Sequence, residues 1–405
     1  MQILALADDL SGANEVAAIL AGLPDRSRAV DAQDARSARP RSTTVHLGFS
    51  VASAGAAEVT VVDTDNRRRT GAQAAEHLRR MLTSTPGVAE AVGLLFLKFD
   101  SLLRGNIGQQ LQAAQEVAPV LFCPAVPGLG RTVREGVLRI DGCPLHQSGL
   151  WNAEAHPPAS TVAAQLSPAP TRTLDVETVR GAHLKAALSQ AAEAGAVAVC
   201  DAESPADLER LAAVGLELGF VLAGAAGLAA AAAARLPAGS TPTAVTGTHP
   251  DRRETLFILG TASAAARRQA DRLEASGVPV HRLRPEQIDG FPLEHDGTVA
   301  VTVDGPVDPS HSTTVTTALT GLAMRHHADR HLVLSGGETA QAVLAALHIS
   351  ELVPLIQAHP GAVVSAAAGG RLVTTRPGSY GAPTSLLDIL TTMNLLQDTT
   401  RKVPS

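Results

Sequence analysis

Short runs of Val, Leu, Ile and Ala alternate along the chain with stretches whose apolar positions recur at helical spacing. That alternation is the signature of parallel α/β architecture. The runs predict strands over 2–7, 43–47, 58–62, 94–99, 120–123, 196–200 and 219–222, with helices between several of them, as over 71–82 and 205–214. Residues 236–251, LPAGSTPTAVTGTHPD, have no apolar period and read as a linker. Beyond it the pattern restarts, with strands over 255–259, 298–303, 331–334 and 371–375 and helices over 264–273, 313–325 and 339–347. No repeat of fixed period occurs. The fold class expected is therefore α/β: two α/β domains with largely parallel sheets, over 1–240 and 252–405, and a ligand cleft between them.

Composition narrows the function classes. A chain of 405 residues is too long for one ordinary domain. With 45% hydrophobic and 18% charged residues, both halves can bury a core. A net charge of -6 argues against a nucleic-acid partner, and 2% aromatics argue against base stacking. Cys123, Cys143 and Cys200 are too few and too scattered for a disulfide framework or a zinc site, so reduced thiols are expected. The apolar start runs straight into Asp8 and Asp9 without the basic flank of a signal peptide. Glycine interrupts the uncharged stretch 218–234, and Pro354 and Pro360 interrupt 352–370. The expectation is a cytoplasmic protein with no membrane partner.

Ligands of open α/β sheets sit beyond the carboxyl ends of the strands. The first strand ends in Asp8-Asp9-Leu10-Ser11-Gly12-Ala13, which offers two carboxylates either as acid–base groups or as a helix cap. Another strand leads into Lys98-Phe99-Asp100-Ser101-Leu102-Leu103-Arg104-Gly105-Asn106. Arginine suits a carboxylate or phosphate bidentately, although a polar glycine turn is the plainer alternative. The loop Pro124-Ala125-Val126-Pro127-Gly128-Leu129-Gly130 supplies Arg131 and Thr132 as donors, but lacks the third glycine of a dinucleotide motif.

In the second half, Ser335-Gly336-Gly337-Glu338-Thr339 joins a predicted strand to a helix. It reads either as an anion site at a helix N-terminus or as a capping box. Gly260-Thr261-Ala262-Ser263 and Arg376-Pro377-Gly378-Ser379-Tyr380-Gly381 form two further glycine turns at strand ends. Three such turns in one domain favour a phosphate-rich ligand. No P-loop, H-E-x-x-H or strand–helix G-x-S-x-G motif is present.

Together these segments resemble the four-carbon acid sugar kinase family, whose members open with A-D-D-L-T-G-A. Here the match is Ala7 to Ala13, with Ser11 keeping the hydroxyl. The family's K-x-D-S-T-L-R-G-N corresponds to Lys98 through Asn106, with Leu102 in place of Thr. Its P-A-x-P-x-x-G-R-T-x-x-x-G matches from Pro124 to Gly136, and Asp201-Ala202-Glu203 and Gly224-Ala225-Ala226-Gly227 resemble later motifs. Its late K-S-G-x-F-G begins here with Arg376.

The resemblance implies a kinase that uses ATP, with Mg²⁺, to phosphorylate a hydroxyl of a threonate-, erythronate- or oxo-tetronate-type acid. It implies substrate binding by the first domain through Lys98, Asp100, Ser101, Arg104, Gly105, Asn106, Arg131 and Thr132, with Asp9, then Asp8, as candidate base. ATP would meet Ser263, Ser335, Gly336, Gly337, Glu338, Thr339, Gly378, Ser379 and Gly381. Metal ligands are not assigned, and a homo-oligomer is compatible with the sequence. A non-catalytic sugar-acid sensor and a nicotinamide-dependent dehydrogenase are the alternative classes.

Overall fold

The computed structural model describes residues 2–28, 39–48, 57–83, 92–151, 156–240, 251–305, 312–378 and 380–399. In chain order its strands are β1 (Gln2–Ala7), β2 (Thr43–Leu47), β3 (Val59–Asp63), β4 (Val92–Lys98), β5 (Val120–Cys123), β6 (Arg131–Arg134), β7 (Val137–Ile140), β8 (Cys143–Pro144) and β9 (Thr171–Leu174). They continue as β10 (Val197–Cys200), β11 (Val221–Gly224), β12 (Glu254–Leu259), β13 (Val280–Leu283), β14 (Val299–Val303), β15 (Arg330–Ser335), β16 (Glu351–His359), β17 (Ala362–Ala367) and β18 (Arg371–Arg376). The chain divides into one compact unit of Met1–Gly22 with Gly48–Ser240 and a second of Leu23–Leu47 with Thr241–Ser405.

In the first unit the order is β3-β1-β4-β11-β5-β10-β9, parallel throughout. The central strands β5, β10 and β11 are buried on both faces, which explains their unbroken apolar sequences VLFC, VAVC and VLAG. Next to this sheet, β6, β7 and β8 form a small antiparallel sheet.

In the second unit, β13-β14-β12-β15-β18 is parallel, whereas β18-β17-β16-β2 is antiparallel. Four of its seven pairings are thus parallel, as expected, and three are antiparallel. The cause is a hairpin over 351–367, which takes up most of the uncharged stretch 352–370. Among the described residues no helix is long and apolar enough to cross a membrane. The assignment of 1–240 to one domain also meets a difference, because Leu23–Leu47 groups with the second unit. The reason is pairing: Leu352 and Glu351 of β16 lie opposite Val45 and His46 of β2.

Each parallel sheet has one switch point, where successive crossovers leave in opposite directions. In the first it lies beside β1, flanked by β3 and β4, and in the second between β12 and β15. Such points open a crevice at the strands' carboxyl ends.

Candidate functional site

At the first switch point, Ala7 lies in register with Asp63 of β3 and Lys98 of β4, so Asp8 emerges between two polar strand ends. Asp8 is buried, and both its oxygens accept from Arg67, from Nε at 3.0 Å and from the second guanidinium nitrogen at 2.8 Å. Burial raises the Asp8 carboxyl to about 6, against the pull of Arg67 and with the repulsion of Asp9. Asp9 N-caps the Leu10–Ala21 helix, accepting from Gly12 N at 2.9 Å through Oδ1, while Oδ2 accepts from Arg67 at 2.9 Å. The cap reading of this pair thus holds for one oxygen of Asp9, while its other oxygen stays on Arg67 beside Asp8. Gly12 is required there, because a Cβ would lie 2.7 Å from Asp9 Oδ1 and 3.3 Å from Lys98 Nζ.

The cations expected to hold a substrate divide by their partners. Lys98 is buried and paired with Glu15 at 3.0 Å. Burial works against its charge, but Glu15, Asp9 and Asp8 outweigh it and hold the ammonium above the ordinary lysine value. Arg104 grips Asp100 bidentately at 2.6 and 3.0 Å. Burial opposes the Asp100 charge, yet that grip holds the carboxyl well below the usual range.

Arg131, on β6, donates to the Ser101 hydroxyl and has no carboxylate partner among the described residues. Its strand is fixed from behind: buried Asp201 accepts from Glu135 N at 2.6 Å and Gly136 N at 2.9 Å, in a turn where both residues have positive φ. Thr132 follows on the same strand. The chain after Gly130 continues as this strand rather than a helix, which removes the dinucleotide reading of Gly128 and Gly130.

Asn106 N-caps the Ile107–Gln115 helix without a side-chain cap bond; its amide donates instead to the Arg69 carbonyl at 2.5 Å. It thereby ties down the turn bearing Arg67. Gly105 has φ +91, and a Cβ there would approach Arg67 Cγ at 3.1 Å.

Two residues of the site, Arg67 and Asp63, are missing from the candidates that the sequence pattern offers. Both sit in Asp63-Thr64-Asp65-Asn66-Arg67, directly after a predicted strand, so the strand-end rule applied to that strand would have found them. Asp63 is fully buried; Oδ1 accepts from Asp65 N at 3.1 Å, while Oδ2 has no partner. Burial pushes this carboxyl up to about 8. Burial thus favours its neutral form at pH 7.

At the second switch point the three glycine turns converge. Gly260 N donates to the Ser335 carbonyl at 3.0 Å, and Gly336 N to the Arg376 carbonyl at 3.0 Å. A Cβ on Gly260 would overlap Thr339 Oγ1 and one on Gly378 would overlap Thr261 Oγ1, so only glycine permits this approach. Ser335 ends β15, and Gly336, with φ +104, is the N-cap of the Gly337–Ala346 helix, which has no side-chain cap bond. The capping box is therefore absent: Glu338 accepts from Ser312 at 2.8 Å instead. Among the described residues, the first N–H groups of the helix, at Gly337, Glu338 and Thr339, have no side-chain acceptor, and they suit an anion.

Ser263 is committed differently, its hydroxyl accepting from Ala266 N at 3.1 Å to cap the Ala264–Ala275 helix. Gly381, with φ +96, lies against Ser385, and its carbonyl accepts from Gln269 at 3.0 Å. Ser379 lies outside the described residues.

Comparison with known sequences matches a sugar-binding N-terminal domain over residues 3–232 and a nucleotide-binding C-terminal domain over residues 256–386. A D-threonate kinase of Cupriavidus necator is 31% identical over 95% of this chain and 96% of its own. The chain belongs to the four-carbon acid sugar kinase family. Family members similar to it include a D-threonate kinase of Bordetella bronchiseptica, 29% identical over 80% of this chain and 84% of its own. A 3-oxo-tetronate kinase of Methylobacterium radiotolerans is 28% identical over 93% and 95%. Two solved structures share the fold at 20% identity: a Haemophilus influenzae protein with TM-score 0.69, covering 96% of this chain and 99% of that one, and a Salmonella typhimurium protein described as a putative tRNA synthase, with TM-score 0.72, covering 96% and 98%.

Leu102, at the family's Thr position, is 8% exposed, and its carbonyl accepts from Trp151 Nε1 at 2.8 Å.

Proposed function

We propose that this chain transfers the γ-phosphoryl group of ATP to a hydroxyl of a four-carbon sugar acid, with D-threonate as the first candidate. Two observations support it. Each unit gathers its unusual chemistry at the switch point of its own sheet, acids and an available arginine in one, an uncapped helix N-terminus ringed by glycine in the other. The relatives similar over nearly the whole length divide between D-threonate and 3-oxo-tetronate kinases, with the higher identity on the D-threonate side.

In this reading the first unit binds the acid. Arg131 takes its carboxylate in place of Arg104 and Lys98, which already hold Asp100 and Glu15. Asp9 accepts the hydroxyl proton: its side chain keeps 20% exposure, whereas that of Asp8 is closed to solvent. Arg67 holds both carboxylates in place, and neutral Asp63 spares the pocket another negative charge. The second unit cradles the phosphates at Gly336, Gly337 and Thr339, with Gly260 and Gly378 bringing the neighbouring turns close.

Phosphoryl transfer asks a protein mainly for in-line positioning and charge neutralisation. Mg²⁺ bound to the ATP phosphates would supply part of that neutralisation. Among the described residues no three His, Cys, Asp or Glu side chains cluster to cage a metal, which suits an ion that arrives on phosphates and keeps its waters.

The test is ADP release, coupled to a reporter enzyme, with D-threonate, D-erythronate and 3-oxo-tetronate, and the esterified hydroxyl read by phosphorus NMR. Turnover of one acid well above the ATP-only background is expected. Acid binding by calorimetry with no ADP release for any acid would replace the kinase by the sensor reading.

A further inference from the structure

The turn after β18 is built around a buried cation without a counter-charge. Arg376 is 1% exposed, and no carboxylate among the described residues pairs with it. Its donors go to neutral acceptors: the Pro377 carbonyl at 3.2 Å, Ser385 Oγ at 3.1 Å, Gln269 Oε1 at 2.9 Å, the Gly378 carbonyl at 3.5 Å and the Tyr380 carbonyl. Gln269 continues the bracket, donating to the carbonyls of Tyr380, Gly381 and Ala382.

The polarity of the network is fixed at its far end. His359 lies 3.0 Å from the Pro360 carbonyl through Nδ1, which must therefore donate, leaving Nε2 to accept from the Ser385 hydroxyl at 2.6 Å. Ser385 in turn accepts from Arg376. Donors thus run outward from the guanidinium, and nothing in the network carries negative charge. Burial alone pushes the guanidinium down to about 10, where it is still charged at neutral pH. A buried ion is costly unless compensated. The backbone of the same residue also supports the proposed cradle, since its carbonyl accepts from Gly336 N at 3.0 Å.

We infer that Arg376 is a positioning residue of the phosphate cradle, its buried guanidinium bracing the glycine turn against Gln269 of the Ala264–Ala275 helix and serving as the fixed positive charge that the phosphates of a nucleoside polyphosphate balance. This rests on reading the second unit as the nucleotide site. Its consequence is selectivity by charge. The cation contributes little to binding of an uncharged nucleoside and much to binding of a polyphosphate.

Calorimetry on the full chain with adenosine and with ADP measures that difference. The native chain should bind ADP more tightly than adenosine. Arg376→Met, of similar bulk but neutral, should cut ADP affinity at least tenfold and leave adenosine affinity within about twofold. Arg376→Lys keeps the charge and should restore most of the ADP preference; if the methionine variant does not fold, the lysine variant decides alone. Equal loss for both ligands in the lysine variant, or an ADP preference unchanged in Arg376→Met, would overturn the inference. A native chain that does not prefer ADP would instead remove the nucleotide reading on which it stands.

Discussion

Replacing Asp63 with asparagine should flatten the pH dependence of the first unit's stability. Asp63 is wholly buried, and its carboxyl sits at about 8 in the folded chain against an ordinary 3.8. Burial is the main cause, reinforced by Asp9, Asp65 and Asp8 and opposed only by the Asp65 N–H. Below pH 4 both states are protonated and the group contributes no further change. Between about 4 and 8 the folded chain keeps a proton that the unfolded chain has lost, so stability falls by about 1.4 kcal/mol for each unit that pH rises. From pH 5 to pH 7 that amounts to about 3 kcal/mol. Asparagine cannot titrate, and its carbonyl can still accept from Asp65 N. The assay is urea unfolding at several pH values, followed by fluorescence of Trp151, the single tryptophan. Its indole donates to the Leu102 carbonyl at 2.8 Å, so the signal reports on the first unit. Asp8 titrates in both proteins, and subtraction removes its contribution. Native and Asp63→Asn stabilities that run parallel from pH 5 to pH 7 would show that Asp63 is ionised in the folded chain, and the charge arrangement proposed for the site would fall with it.

Asp9→Asn should lower turnover by about 10²–10⁴-fold with both ligands still bound, as loss of a general base does; retained turnover, with loss in Asp8→Asn instead, would move the role to Asp8. Arg131→Lys should raise the acid's KM about tenfold or more while the KM for ATP holds, because the planar fork is lost; a larger effect from Arg104→Lys would return the carboxylate to Arg104. Gly378→Ala forces a Cβ into overlap with Thr261 Oγ1. It should cost about 1–3 kcal/mol of stability and shrink the rise in melting temperature produced by an ATP analogue; a variant unchanged in both would refute the close approach of the two turns.

The crossover pattern was legible because buried parallel strands are written as continuous apolar runs, as in Val120–Cys123. The hairpin of β16 and β17 was not, since Pro354 and Pro360 speak against regular structure and an antiparallel return leaves no helix between its strands. At the first switch point the strand-end rule pointed to Asp8 and Asp9, but spacing cannot say which cation faces which acid. Lys98 and Arg104 looked like ligands for a substrate, and only the fold shows Glu15 and Asp100 already holding them. Arg67 and Asp63 escaped because the strand-end rule was not carried to the segment after the strand over 58–62. In the second unit, Ser335 and Glu338 have the letters of a capping box, yet β15 runs one residue further than predicted and moves the cap to Gly336.

The excursion Leu23–Leu47 makes the second unit discontinuous in sequence, and this bears on how the chain is made and cut. A ribosome releases β2 long before β16 exists, so the edge of that strand away from β3 must wait for more than three hundred further residues to receive its partner. Until then it presents unpaired backbone groups, the usual invitation to mispairing. Division at the apparent linker has a matching cost. A fragment ending near residue 240 carries β2 with no β16 beside it, and a fragment starting near 252 exposes the β16 edge that β2 covers. Joining residues 23–47 to the later fragment, rather than cutting at the linker alone, is the division that keeps β2 with β16.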